Sequence, residues 1–251
     1  MAGHSHWARI KRKKGMNDAR RGRLWSKLSR NIIVAARSGG GDPKDNLSLR
    51  YAIDKARQAN MPKDTIENAI RKGAGGEEGT QYETVCYEGY GPGGVAMLIE
   101  TLTDNRNRTN PEIKKILERH NGNMGAPGCV QWMFDNKGQI TVPLEAADED
   151  RIAELALEGG ADDYRRADDV WEISCEPGAY ETLRQVLADA EIEIQSAELT
   201  MVPQNSVTVD AEVGQKLLRL IEALEEHEDV QNVYSNFDLP EQVMASMGEE
   251  G

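Results

Sequence analysis

The hydrophobic period of this chain changes at one place, the glycine-rich run Gly73-Ala74-Gly75-Gly76, and that change limits the possible fold more than any other feature. Before it, apolar residues recur at helical spacing. After it, short runs of strand character alternate with helical ones. Such a pattern predicts a multidomain α+β protein with a helical N-terminal domain ahead of sheet-and-helix domains. A length of 251 residues also exceeds what one hydrophobic core usually organises.

The helical part opens with a basic arm, Lys11-Arg12-Lys13-Lys14, that ends at Gly15. From about Asn17 to Arg37, steps of about 100° per residue gather Leu24, Trp25, Leu28, Ile32, Ala35 and Ala36 on one arc. Arg20, Arg23, Lys27, Arg30 and Arg37 gather on another, so one face is expected to pack and the other to present cations. Gly39-Gly40-Gly41 ends this helix, and Asp42-Pro43 is expected to cap and open the next, with Leu49, Ala52, Ile53 and Ala56 buried. A third helix follows Asn60-Met61-Pro62-Lys63-Asp64, carries Ile66, Ala69 and Ile70, and is expected to stop at Gly73.

Beyond the glycines, Tyr82 to Glu88 and Val95 to Thr103 read as strands joined by a Gly/Pro turn, with a helix from Pro111 to His120 capped by Thr109 or Asn110. Ile140 to Val142, Val170 to Ser174 and Ile194 to Val202 read as strands, with helices around 152–157 and 183–187 between them. Val207 to Val209, a helix carrying Val213, Leu217, Leu220, Ile221 and Leu224, and Val230 to Tyr234 make a closing β-α-β. Gly89-Tyr90-Gly91-Pro92-Gly93-Gly94 matches a dinucleotide-binding fingerprint in letters only. A strand follows it where a pyrophosphate would need a helix N-terminus, so it reads as a hairpin turn, with Tyr87 and Tyr90 placed to touch a large partner.

The formal net charge is −13, which taken alone disfavours a polyanionic partner. The average conceals a split: residues 1–76 carry 18 Lys and Arg against 6 Asp and Glu, a balance of +12, and the remainder balances at −25. Cations concentrated on a rigid helix and a neighbouring arm suit successive phosphates, which they neutralise with release of counterions. Arg106 and Arg108, in the polar run Asp104 to Asn110, are secondary candidates because guanidiniums pair with phosphate oxygens.

The patterns of other functions are missing from the sequence. There is no G-x-S-x-G, H-E-x-x-H or P-loop, so an enzyme is not expected and no catalytic residue, metal site or cofactor is assigned. Cys86, Cys129 and Cys175 are an odd number at wide spacing and read as reduced, mostly buried thiols. His120 and His227 fall beside helix ends and read as structural, and Glu225-Glu226 reads as solvated acidic surface. No apolar run spans a bilayer and no apolar leader opens the sequence, so a cytoplasmic protein without a membrane partner is expected.

Gly3-His4-Ser5, Trp7, Lys27-Leu28, Asp42-Pro43, Asn60-Met61-Pro62-Lys63-Asp64, Tyr87-Glu88-Gly89-Tyr90-Gly91-Pro92-Gly93-Gly94 and Leu102-Thr103-Asp104-Asn105-Arg106-Asn107-Arg108-Thr109 together resemble the YebC/PmpR family over essentially the whole chain. The resemblance implies an N-terminal helical domain over 1–76 and two α+β domains. The third, 136–204, would be inserted into a discontinuous second of 80–135 plus 205–240. It also implies a DNA-binding transcriptional regulator or, as in the related mitochondrial translational activator of cytochrome c oxidase subunit I, a factor of translation. Some bacterial forms relieve ribosome stalling at proline-rich stretches. Asn110-Pro111 and Cys129, where serine is expected, depart from the family pattern. The function expected is therefore non-enzymatic nucleic-acid binding in gene expression, to DNA or to ribosomal RNA, with the acidic domains available for self-association. Lys11, Arg12, Lys13, Lys14, Arg20, Arg23, Lys27 and Arg30 are the expected phosphate contacts, joined by Arg106 and Arg108.

Overall fold

The computed structural model describes residues 18–75, 81–167 and 169–239, with side chains from Arg21 onward. The chain divides into two compact units, one reaching to Met133 and resuming at Pro203, the other Phe134–Val202.

The first unit begins with three helices, α1 (Asp18–Gly39), α2 (Leu47–Gln58) and α3 (Lys63–Ala74). Leu28, Ile32 and Ala36 from α1 are buried with Leu49, Ile53, Ala56, Met61, Ile66 and Ala69, so the apolar arcs meet in one core. Trp25 lies at its margin and donates its indole N–H to the Ala59 carbonyl at 3.1 Å. Two local expectations are corrected here. The second helix opens at Leu47, because Asn46 caps it: its Oδ1 accepts the Leu49 N–H at 3.0 Å, and its Nδ2 donates to the Ala35 and Gly40 carbonyls at the end of α1. One amide thus closes one helix and opens the next, while Asp42 only caps the intervening turn through the Lys44 N–H. Gly73 lies inside α3 rather than ending it. A Cβ there would stand 2.5 Å from the Ile33 carbonyl oxygen, so the glycine is what lets α1 and α3 approach.

The same unit continues as β1 (Glu83–Tyr90), β2 (Ala96–Thr103), α4 (Arg106–Arg119) and β3 (Asn123–Met124), and is completed by β8 (Val207–Thr208), α7 (Ala211–Glu226), β9 (Val230–Ser235) and β10 (Phe237–Asp238). Its main sheet has the order β3-β1-β2-β9, antiparallel throughout, so the returning strand β9 lies directly beside β2. Val85, Tyr87, Met97 and Ile99 from the sheet pack with Ile113 and Leu117 of α4 and Leu217, Leu220, Ile221 and Leu224 of α7. The Gly/Pro segment between β1 and β2 is a hairpin connection, a short 3₁₀ turn over Pro92–Gly94 in which Gly93 and Gly94 adopt φ of +75° and +74°.

α4 starts a full turn earlier than expected. Asn105 caps it, accepting the Arg108 N–H at 3.2 Å, and Pro111 lies inside the helix instead of at its first position. Arg106 and Arg108 consequently belong to a rigid first turn, not to a loop.

Residues 134–202 form their own sheet, ordered β5-β6-β4-β7. Its elements are β4 (Phe134–Pro143), α5 (Glu149–Glu158), β5 (Ala161–Ala167), β6 (Val170–Cys175), α6 (Tyr180–Asp189) and β7 (Ser196–Pro203), the last ending at the unit boundary. β5 is absent from the sequence reading; as Ala-Asp-Asp-Tyr-Arg-Arg-Ala at a sheet edge it has no apolar alternation to reveal it.

Candidate nucleic-acid interface

The arm Lys11, Arg12, Lys13 and Lys14 lies outside the described residues, as does the side chain of Arg20 within α1. The described part of the cationic face is Arg23, Lys27, Arg30 and, in the last turn, Arg37, and the first three follow one another along about 10 Å of helix. Those three line a cleft of ≈ 250 Å³ together with Gly22, Ser26 and Glu228.

The wall opposite them is the end of α7. A helix C-terminus leaves carbonyls without amide partners and carries partial negative charge, and here it is also loaded with acids, Glu225-Glu226-His227-Glu228-Asp229. Lys27 Nζ donates to the Glu225 carbonyl at 2.5 Å, and Arg30 Nη1 to the Glu228 carbonyl at 3.1 Å. Arg30 also reaches Asp229 Oδ1 through Nη1 and Glu228 Oε2 through Nη2, both at 3.3 Å. Arg23 Nη2 meets Glu226 Oε1 at 3.3 Å. The structure therefore corrects the picture of an open, solvated basic face: Lys27 is buried and Arg30 largely so, both engaged in closing the end of α7.

Asp229 is where this face meets α4. Its carboxylate, almost wholly buried, takes Arg30 on one oxygen and, on the other, Arg108 Nη2 at 2.8 Å and the Thr109 hydroxyl at 2.7 Å. The Asn105 N–H donates to the Thr103 hydroxyl, which lies 2.7 Å from Thr109, so a chain of polar groups ends on the carboxylate. Burial pushes the Asp229 carboxyl up, but the bonds from Thr109 and Arg108 outweigh it and hold the group below the ordinary aspartate range. The main chain of Asp229 is fixed too: its carbonyl accepts the Leu102 N–H at 2.8 Å and its N–H donates to His227 Nδ1 at 3.1 Å. With Nδ1 accepting, the neutral imidazole carries its proton on Nε2, which faces Glu112 at 3.0 Å. Both predicted arginine motifs thus converge on one carboxylate, and Arg108, which also pairs with Asp104, is held where a loop contact to phosphate was expected. Arg106 is exposed, with no carboxylate at ion-pair distance among the described residues.

Sequence reasoning took Glu226 for solvated surface and passed over Glu228 and Asp229. A signal was present: acidic residues packed at a helix C-terminus oppose its dipole and call for cations.

Of the two tyrosines expected to face a partner, Tyr87 points into the core and Tyr90 is half-buried; Gly91 and Pro92 are buried, and Gly93 and Gly94 are exposed. A different aromatic is presented. Trp132 is 63% exposed, its indole N–H bonded to the Cys129 carbonyl at 3.1 Å. The loop ahead of it is pinned to the buried Glu88 carboxylate, which accepts the amides of Gly128, Val130 and Gln131. Burial pushes the Glu88 carboxyl up, and these three amides hold it below its usual range. The thiols are free, but only Cys175 is fully buried; Cys129 is half-buried and Cys86 exposed, which corrects the expectation of mostly buried cysteines. Among the described residues no helix is long and apolar enough to cross a membrane.

Comparison with known proteins places these features in company. The family model described as TACO1/YebC protein N-terminal domain matches residues 5–76, and that of the TACO1/YebC second and third domain matches residues 82–237. A protein of Desulfosudis oleivorans named "Probable transcriptional regulatory protein" is 52% identical over 97% of this chain and 99% of its own length. One of Halothermothrix orenii with the same name is 51% identical over the full length of both. Among solved structures, a conserved hypothetical protein from Aquifex aeolicus superposes with a TM-score of 0.83 at 47% identity, covering 94% of this chain and 98% of that one.

Proposed function

This chain belongs to the TACO1/YebC family, and on that premise we propose that it is a non-enzymatic regulator of gene expression that binds nucleic acid through its basic N-terminal segment, acting on DNA as a transcriptional regulator. The observation that carries the reading is the charge split, +12 over residues 1–76 against −25 over the rest. A surplus of like charge in one segment of an acidic chain is self-repelling unless an anion meets it. The names of the relatives, "Probable transcriptional regulatory protein", point the same way. Lys11, Arg12, Lys13, Lys14, Arg20, Arg23 and Arg30 through Nη2 are the proposed phosphate contacts, with Arg106 secondary; Lys27, Arg108 and the Nη1 of Arg30 hold the surface that presents them.

A second reading, a ribosome-associated translation factor gripping ribosomal RNA, is favoured by Trp132, which is 63% exposed, since the unpaired bases of RNA stack on exposed aromatic side chains. Fluorescence anisotropy against duplex DNA and against structured RNA, each over a series of salt concentrations, tests the proposal. Binding with a slope of several counterions to DNA supports the first reading, and a preference for RNA with salt-sensitive co-sedimentation on ribosomes supports the second. Absence of binding to both at low salt overturns the nucleic-acid reading.

A further inference from the structure

We infer that the cleft between α1 and the end of α7 is a binding site for a phosphodiester of the nucleic-acid backbone, and that Glu226 and Glu228 occupy the phosphate's place until it arrives. The inference rests on the nucleic-acid reading above and gives it a site and a competitor.

The two walls of the cleft are fastened differently. Lys27 on the Glu225 carbonyl, and Arg30 Nη1 on the Glu228 carbonyl and buried Asp229, are contacts to main chain or to a carboxylate with little access to solvent. These stay in place whatever enters. The remaining donors, Arg23 Nη2 and Arg30 Nη2, are satisfied only by surface carboxylates among the contacts described, at 3.3 Å each. The side chains of Glu226 and Glu228 are 51% and 78% exposed, so they are free to swing into solvent, and exposed pairs of this kind contribute little. Two guanidinium groups directed at one cleft match the oxygens of a phosphate better than two separate, mobile carboxylates do. The Ser26 hydroxyl, which donates to the Gly22 carbonyl, lies on the same floor.

The free protein is then its own competitor: a polyanion must displace two glutamates to engage α1. Removing their charge should favour binding even though it removes two attractive contacts from the fold. A merely structural clasp predicts the reverse.

The test uses the full-length chain, with fluorescein-labelled duplex DNA and single-stranded RNA as separate arms. The variant is Glu226→Gln with Glu228→Gln. The control is Glu118→Gln with Glu212→Gln, which makes the same change in net charge and also releases two surface lysines, Lys114 and Lys216, away from the cleft. The cleft variant should bind about tenfold more tightly than the parent in at least one arm. Its dependence of log K on log salt should be steeper by about two, and the control should stay within about twofold. Arg23→Gln should weaken binding. Should the double variant unfold, Glu226→Gln alone carries the same test, with an expected gain of about threefold in affinity. If the parent binds and the cleft variant gains no more than the control, the inference falls and the nucleic-acid reading stands. If neither protein binds in either arm, both fall; if only the cleft variant binds, the site and its competitor are both supported.

Discussion

Residues 134–202 carry five basic side chains among eighteen acidic ones, and the cations there find carboxylates close at hand. Arg151 takes Glu154 and Arg184 takes Glu181 one helical turn away, Arg165 takes Glu172 across the β5–β6 pair, and Lys137 sits between Asp162 and Glu176. In α1 the balance is reversed, and the partners of Arg23, Lys27 and Arg30 lie 198 to 203 residues away in sequence. The Arg151, Arg184 and Arg165 pairs form as soon as their helix or hairpin does, and even Lys137 reaches only 25 and 39 residues along the chain. The α1 pairs exist only once α7 and β9 have returned beside β2, with the whole of 134–202 already spanned. They report on completion of the fold, and a ligand that competes for them acts on the assembled protein.

The contrast makes predictions of graded size. Asp229→Ala removes the carboxylate on which Arg30, Arg108 and Thr109 converge and leaves buried donors unpaired, so about 3–5 kcal/mol of unfolding free energy should be lost in urea titrations followed by circular dichroism. A loss below about 1 kcal/mol would mean that the long-range contacts are as dispensable as the local ones. Acid should produce a smaller version of that loss. The native pKa values of Asp229 and Glu88 lie below their unfolded values, so their contribution is complete above about pH 5 and is lost as pH falls through the native values. Thermal midpoints measured from pH 5 downward should fall, and Asp229→Asn should flatten part of that decline. Lys27→Met takes a buried cation from the α7 carbonyls and should cost about 1 kcal/mol, visible as a shift in the urea midpoint at unchanged slope. Arg151→Ala, in a local surface pair, should stay within about 0.5 kcal/mol in the same titration; a larger effect would erase the distinction between the two regions.

Reading the sequence succeeded where the signal is local. The arcs of α1 and α2, the amphipathic stripe of α7 and the hairpin around Gly93 follow from the spacing of apolar residues and turn chemistry, and the α+β class follows from them. Misreadings arose where a residue answers to something distant or lacks apolar contrast. Gly73 looks like a helix stop until the Ile33 carbonyl is placed against it, Asp42 looks like a cap until Asn46 is seen bridging two helices, and β5 has almost nothing apolar to alternate. In the candidate site the cations were legible and their partners were not: Glu226, Glu228 and Asp229 look like any other acids on an acidic surface.

By itself, then, the sequence determined the positions of most helices and strands, the segregation of positive charge into residues 1–76 and the family to which the chain belongs, because periodicity, capping and composition act within a few residues of the chain. Only the tertiary structure decided what the α1 cations face. Electrostatic attraction depends on distance in space and on burial, and the groups that meet Arg23, Lys27 and Arg30 are brought there by the return of the chain through α7 to β9, against β2.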